Sequence, residues 1–270
     1  MKYSIFRKSK RNRIMSKANI LVLIVSVVFS MTITAQDKGL EVAKKADIAD
    51  QGFESSTVSL TMVLTNRNGQ ESTRQLSQKT LEISTDGDKS LITFQSPRDV
   101  KGTTTLTFTH RVGADDQWLF LPSINRIKRI SSNNKSGPFM GSEFAYEDLS
   151  SQEVEKYTYK FIEEKDGLII IEQDPVDPKS GYTSRLVTYN KEKAFRVEKV
   201  EFYDRKNSLL KTLEYKDYKL YLDKYWRADI LEMVNHQTNK QTKLTFSNYK
   251  FKLNLTDEDF SQNALKRAGN

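Results

Sequence analysis

From Val58 to Leu255 apolar and polar side chains alternate in short runs, and tight polar turns separate those runs. Val58, Leu60, Met62 and Leu64 alternate with Ser59, Thr61 and Val63, the period of a half-buried strand. Leu106, Phe108 and His110 share one face of Thr103–His110, with threonines on the other. Tyr157, Tyr159 and Phe161 share a face, and Arg185–Tyr189, Ala194–Tyr203, Leu209–Tyr218, Tyr225–Val234 and Lys243–Leu255 read as further strands. Turns such as Asn66–Gly69, Thr85–Asp88 and Asp166-Gly167 carry residues that tolerate positive φ. Connections this short describe an antiparallel meander. One sheet of that length must curl or close. The expectation is a mainly β fold: one antiparallel sheet of about eleven strands, curled or closed, with helices covering its concave face. Lys38–Asp50, with Leu40, Val42, Ala43 and Ala46 at helical spacing, is one cover, and a helical part of Ile124–Leu149 is the other.

Gln117–Leu149 breaks the pattern. Trp118–Leu121 begins as a strand and Pro122 stops it. Ile124, Ile127 and Ile130 then recur at every third position around Arg126 and Arg129, which suggests a helical turn with both guanidinium groups on one side. A polar loop and the cluster Gly137–Ser142 follow, then Phe144, Tyr146, Glu147 and Asp148. Irregular segments on a regular scaffold are where function concentrates.

The formal net charge is +8, and its distribution removes the nucleic-acid reading that such a value invites. Seven of the 43 basic residues lie in residues 1–35, which hold no acid; the remainder carries 36 basic against 35 acidic residues. A near-neutral body gives no electrostatic basis for DNA or RNA binding. Residues 1–35 have the layout of a secretory signal: a basic start to Lys17, an apolar run from Ile20 to Phe29, and a polar tail ending at Ala35. The apolar run is short for a full membrane span of roughly 20 residues. Residues 1–35 are therefore expected to be a signal peptide and residues 36–270 one exported domain. The chain has no cysteine, which excludes an N-terminal lipidated Cys, disulfides and Cys-based metal or redox sites.

Nucleophilic catalysis has little to draw on. Only His110 and His236 are available as bases, and neither a G-x-S-x-G elbow nor a phosphate-binding glycine loop occurs. Glu143, Glu147 and Asp148 would lie near one another on a helix, a weak metal site of oxygen ligands; the competing reading is a solvated acidic face, or partners for Arg126 and Arg129. Those arginines suit bidentate capture of a lipid headgroup or, alternatively, an internal salt bridge to Glu147 or Asp148. The chain holds 14 Phe, 12 Tyr and 2 Trp. An open sheet lined with such residues can hold an acyl chain, and Met62, Met140 and Met233 would add adaptable lining.

Trp118-Leu-Phe-Leu-Pro122, Arg126-Ile-Lys-Arg-Ile130, Ser136-Gly-Pro-Phe-Met-Gly-Ser142 and Phe144-Ala-Tyr-Glu-Asp148, in this order, resemble the bacterial outer-membrane lipoprotein-sorting proteins of the LolA-like superfamily. The resemblance implies an incomplete barrel of the LolA/LolB type with a helical lid, a periplasmic protein with no cofactor and no catalytic residue. Its apolar cavity would carry lipoprotein acyl chains or other lipids toward the outer membrane, between an inner-membrane transporter and an outer-membrane acceptor. Leu106, Phe108, Trp118, Phe120, Phe139, Met140, Phe144 and Tyr146, with Arg126 and Arg129, are the expected lipid-binding residues. A lipid-acting hydrolase on the same scaffold and an accessory subunit of an envelope lipid exporter are the competing functions.

Overall fold

The computed structural model describes residues 35–269; the expected signal segment, up to residue 34, lies outside the described residues. A helix, α1 (35–50), precedes a single antiparallel sheet of 13 strands. These are β1 (Ser55–Thr65), β2 (Glu71–Leu81), β3 (Lys89–Ser96), β4 (Thr104–Phe108), β5 (Asp116–Leu121), β6 (Arg126–Ile130), β7 (Tyr157–Lys165), β8 (Leu168–Pro175), β9 (Tyr182–Asn190), β10 (Arg196–Asp204), β11 (Leu209–Tyr221), β12 (Tyr225–Asn235) and β13 (Lys240–Phe251). A short helix, α2 (Gln262–Gly269), follows. The spatial order β6-β5-β4-β3-β2-β1-β13-β12-β11-β10-β9-β8-β7 joins two meanders through the β1–β13 pair. β6 and β7 remain edges, so the barrel is open.

The strand count exceeds the expected eleven, and β6 shows why. Spacing by three among Ile124, Ile127 and Ile130 suggested a helix. Instead, Pro122–Ile124 make one 3-10 turn, Asn125 takes a left-handed φ of 45°, and the chain folds back as a hairpin on β5. Residues three apart on a strand point to opposite faces, so Arg126 and Arg129 do not form a one-sided pair. Nor is Glu143–Leu149 an α-helix. It passes through an extended Ala145 into a 3-10 turn at Tyr146–Leu149.

Residues 131–156 connect the two free edges by crossing the inner side of the sheet. Arg74 of β2 donates to the Met140 carbonyl. Thr242 Oγ1 of β13 accepts from the Glu143 amide at 2.9 Å, and Asn235 of β12 donates to the Glu143 carboxylate at 2.6 Å. Lys211 of β11 donates to Asp148 at 2.6 Å, and Tyr182 of β9 to the same carboxylate at 2.8 Å. One irregular segment thus ties together five strands from both meanders, and this holds an open sheet curved. Phe139 and Phe144 anchor it apolarly; Phe139 is fully buried, 5.7 Å from the Phe94 ring and 5.6 Å from Tyr146.

Strand alternation separates two cores. The main core lies between the inner face, α1 and the crossing segment. A second core, Leu91, Leu106, Phe120, Phe260 and Leu265, sits between the outer face of β3–β5 and α2. Each fully buried Phe or Leu there contributes about 1.5–3 kcal/mol. α1 lies close against β7 because residue 39 is glycine: a Cβ there would come within 3.0 Å of the Phe161 amide nitrogen.

Candidate functional site

Beneath α1 the inner face is not filled. A cavity of about 1230 Å³ lies between the helix and strands of the β7–β13 meander. Ordinary small-molecule sites run to roughly 300–1,000 Å³, so this one has the volume to take a ligand with an acyl chain. Strand period places Tyr157 and Tyr159 of β7 and Val187 and Tyr189 of β9 on its walls; Tyr215 and Tyr218 of β11 both reach it because Asp217 between them, at a φ of 54°, interrupts the alternation. Trp226 and Phe246 close it from β12 and β13, and Ala43 and Ala46 form the α1 wall. Ala194 and Phe195, at the β9–β10 turn, hold φ of 53° and 55°. That region is strained for a bulky residue, and here it delivers the Phe195 ring to the cavity.

The tyrosines are neutral. Burial pushes the Tyr189 and Tyr215 phenols up to about 12, and raises those of Tyr157, Tyr159 and Tyr218 as well. Several hydroxyls are occupied: Tyr159 donates to the Val154 carbonyl at 2.7 Å and Tyr218 to that of Val197. Tyr189 Oη accepts from Gln173 at 3.0 Å, so these three hydroxyls are taken up by the protein itself. Two arginines stand among the tyrosines: Arg196 of β10, 4.3 Å over the Tyr218 ring and paired with Glu198 at 3.1 Å, and Arg185. Arg185 of β9 is buried, stacks 3.9 Å above the Tyr157 ring and donates to the side-chain carbonyls of Gln152 and Gln173.

At the rim the charges are mixed. Asp50 of α1 pairs with Arg227, and Arg111 lies 3.7 Å from Glu153. Burial pushes Asp88 up to about 7 and raises Asp47, Asp50 and Glu153. At the other end of α1, Lys38 pairs with Glu164 at 3.2 Å. Solvent-exposed ion pairs of this kind contribute about 0–1 kcal/mol. The helix is held chiefly by Val42 and Ala43, 5% exposed each, against the core. Leu40 and Ala46 add partly buried contacts, so α1 is held by a few apolar residues and weak end pairs.

The residues singled out from sequence divide into three groups. Leu106, Phe108, Trp118 and Phe120 lie on the outer face, with α2, away from the cavity. Phe139, Met140 and Tyr146 pack the crossing segment against the main core, and Phe144 reaches the cavity wall. Arg126 and Arg129 are exposed on the edge strand, and Arg129 pairs with Asp116 rather than with Glu147 or Asp148. Glu143, Glu147 and Asp148 diverge: Glu143 meets Asn235, Glu147 accepts from Ser180 and the Gly181 amide, and Asp148 meets Lys211. Among the described residues no group of three or more His, Cys, Asp or Glu is placed to hold a metal ion. His110 bridges two carboxylates, Asp86 at 2.7 Å and Asp116 at 3.3 Å, and hydrogen bonding to Asp86 raises its pKa. His236 contacts Thr212 at 2.8 Å.

Sequence reasoning did not single out Arg185 or the β11–β12 wall. The signal was present as aromatic residues at strand spacing, but the same spacing describes a filled core.

A family model described as an uncharacterized protein matches residues 86–267. The solved structure of an outer membrane lipoprotein-sorting protein domain from Vibrio parahaemolyticus is 51% identical, with a TM-score of 0.83, covering 86% of this chain and 100% of that one. A DUF1329 family protein from Desulfovibrio piger is 26% identical, with a TM-score of 0.80, covering 86% and 99%. A LolA superfamily protein from Nitrosomonas europaea shares the fold at 22% identity, with a TM-score of 0.66, covering 83% and 97%. No curated protein matches the chain.

Proposed function

We propose, from the premise that this chain belongs to the outer-membrane lipoprotein-sorting protein family of the LolA-like superfamily, that it is a non-enzymatic carrier of acyl chains in the bacterial envelope. The observation that carries this reading is the aromatic cavity of about 1230 Å³ beneath a weakly held helix. Each methylene moved from water into such a site contributes about 0.8 kcal/mol, so a chain of a dozen or more methylenes binds firmly without any reacting group. Loading requires α1 to lift, because its Ala43 and Ala46 form one wall. Release then requires a membrane or receptor that holds the chain better. Among the described residues no helix is long and apolar enough to cross a membrane. The carrier is proposed to move between an inner-membrane donor and an outer-membrane acceptor.

The role proposed for Gln117–Leu149 is structural support of the cavity. Phe144 lines it, while Phe139, Met140 and Tyr146 keep the crossing segment seated and the sheet curved. Arg126 and Arg129, exposed on the open edge, are proposed to meet acidic headgroups at a membrane surface rather than cargo inside. A hydrolytic role for Glu143, Glu147 and Asp148 draws no support from their positions, since each carboxylate is engaged by sheet or loop donors. Solvent extraction of protein purified from envelope fractions, followed by mass spectrometry, tests the carrier function. A stoichiometric acyl lipid is expected. Repeated recovery of empty protein that takes up no added lipid would end the proposal.

A further inference from the structure

Among the described residues Arg185 has no charge partner. It is 6% exposed, and among the described residues no carboxylate lies within 4 Å of it. Its terminal nitrogens donate to two neutral amide side chains, Gln152 at 2.6 Å and Gln173, and its Nε–H, buried, has no acceptor. Two acids of the same cavity lining are committed elsewhere: Asp148 is bound to Lys211 at 2.6 Å, and Glu153 to Ser151 at 2.9 Å with Arg111 beside it. A buried cation left with neutral partners is costly and is ordinarily paired. The residue lines the cavity, and its charge acts on Tyr157, Tyr159, Tyr189 and Tyr215 around it. The Tyr157 ring holds the guanidinium plane in position.

We propose that Arg185 is an internal seat for a compact anionic oxygen group at the head of an acyl chain, bound inside the cavity. Guanidinium donates to carboxylate and phosphate oxygens through paired N–H groups, and the Nε–H, enclosed and used by no protein acceptor, is left over for one of that pair. This rests on the carrier reading and narrows its cargo. A lipoprotein buries only neutral chains, with its protein part outside, and leaves this cation unpaired. A fatty acid or a phosphate-headed single-chain lipid pairs it. The aromatic wall then supplies binding energy for the chain and the arginine supplies selectivity for the head.

The test uses the full mature chain and displacement of the neutral probe N-phenyl-1-naphthylamine by three ligands of equal chain length: palmitate, hexadecanol and palmitoyl lysophosphatidic acid. Wild-type protein is expected to bind at least one of the two anions about ten- to a hundredfold more tightly than the alcohol, the range of a charge-assisted hydrogen bond. The palmitate and lysophosphatidic acid arms tell carboxylate from phosphate. In Arg185→Gln, checked for folding by its melting curve, the ratio of anion to alcohol affinity is expected to fall to about one. Equal wild-type affinity for alcohol and both anions overturns the proposal and leaves the carrier reading standing; it needs no variant to be folded. Retention of the anion preference in folded Arg185→Gln overturns it equally. Failure of all three ligands to displace the probe overturns the carrier reading and this inference with it.

Discussion

Lys211→Met tests how the crossing segment holds the sheet. Lys211 and Asp148 are buried, their side chains 4% and 7% exposed. Lys211 Nζ donates to Asp148 at 2.6 Å and to the Glu143 carbonyl at 2.9 Å. Asp148 also accepts from its own turn, the Ala145 amide at 2.7 Å, and from Tyr182 at 2.8 Å. Methionine keeps the length and apolar stem of lysine but leaves the carboxylate buried without its cation. Breaking a buried pair in this way costs about 3–5 kcal/mol. In a chain of this size one kcal/mol corresponds to about 2–4 °C, so Tm is expected to fall by roughly 6–20 °C. Guanidinium chloride unfolding followed by far-UV circular dichroism measures the cost directly. Asp148→Asn keeps the turn and Tyr182 hydrogen-bonding options, so a double-mutant cycle isolates the charge pair. A coupling of about 2–3 kcal/mol is expected, toward the upper end for contacting residues. Single-variant costs below about 1 kcal/mol, or additive effects in the double variant, would refute the account of this segment as the tie across the open barrel.

Three further outcomes are expected. Ala46→Trp, which projects an indole from α1 into the cavity, should reduce acyl-probe uptake severalfold while Tm moves by only a few degrees; undiminished uptake would place the ligand elsewhere. Asp88, raised to about 7 by burial, binds its proton more tightly folded than unfolded. Its contribution to stability is therefore lost as pH rises from about 4 through 7, and Asp88→Asn should gain in Tm over wild type more at pH 8 than at pH 5. His110 has the same sign for a different reason. Its folded pKa is raised by Asp86 and Asp116, so its stabilisation is present below about 6.5 and is lost as pH climbs through the folded value. The Tm deficit of His110→Gln should accordingly be larger at pH 5.5 than at pH 8.5, and a deficit independent of pH would contradict the ion-pair account.

The sheet was legible because strand period and turn chemistry are local. Val58–Leu64 and Tyr157–Phe161 declare their faces residue by residue, and Asn68-Gly69 declares its turn. What failed was the arbitration between periods in a short apolar run. Ile124, Ile127 and Ile130 fit a helix by spacing, yet Asn125 in the left-handed region and the hydrogen bonds available from β5 made a hairpin the outcome. The site was harder to read, since inward-facing aromatic residues look alike whether they meet one another or empty space. Leu106, Phe108, Trp118 and Phe120 alternate as well as any cavity wall, but α2, far along the chain, covers that face instead. Arg185 carried no sequence signal because its lack of an acid partner is a property of three-dimensional packing.

The chain has two tryptophans, and they report on different places: Trp226 lines the cavity and Trp118 packs in the outer core under α2. Titrating a brominated fatty acid, whose bromine quenches only indoles in near contact, into Trp118→Phe and Trp226→Phe proteins locates the ligand. A cavity beneath α1 that carries acyl chains predicts saturable quenching of Trp226 in the first protein and little change of Trp118 in the second. Quenching of Trp118 with Trp226 unaffected, or quenching of neither, would contradict it.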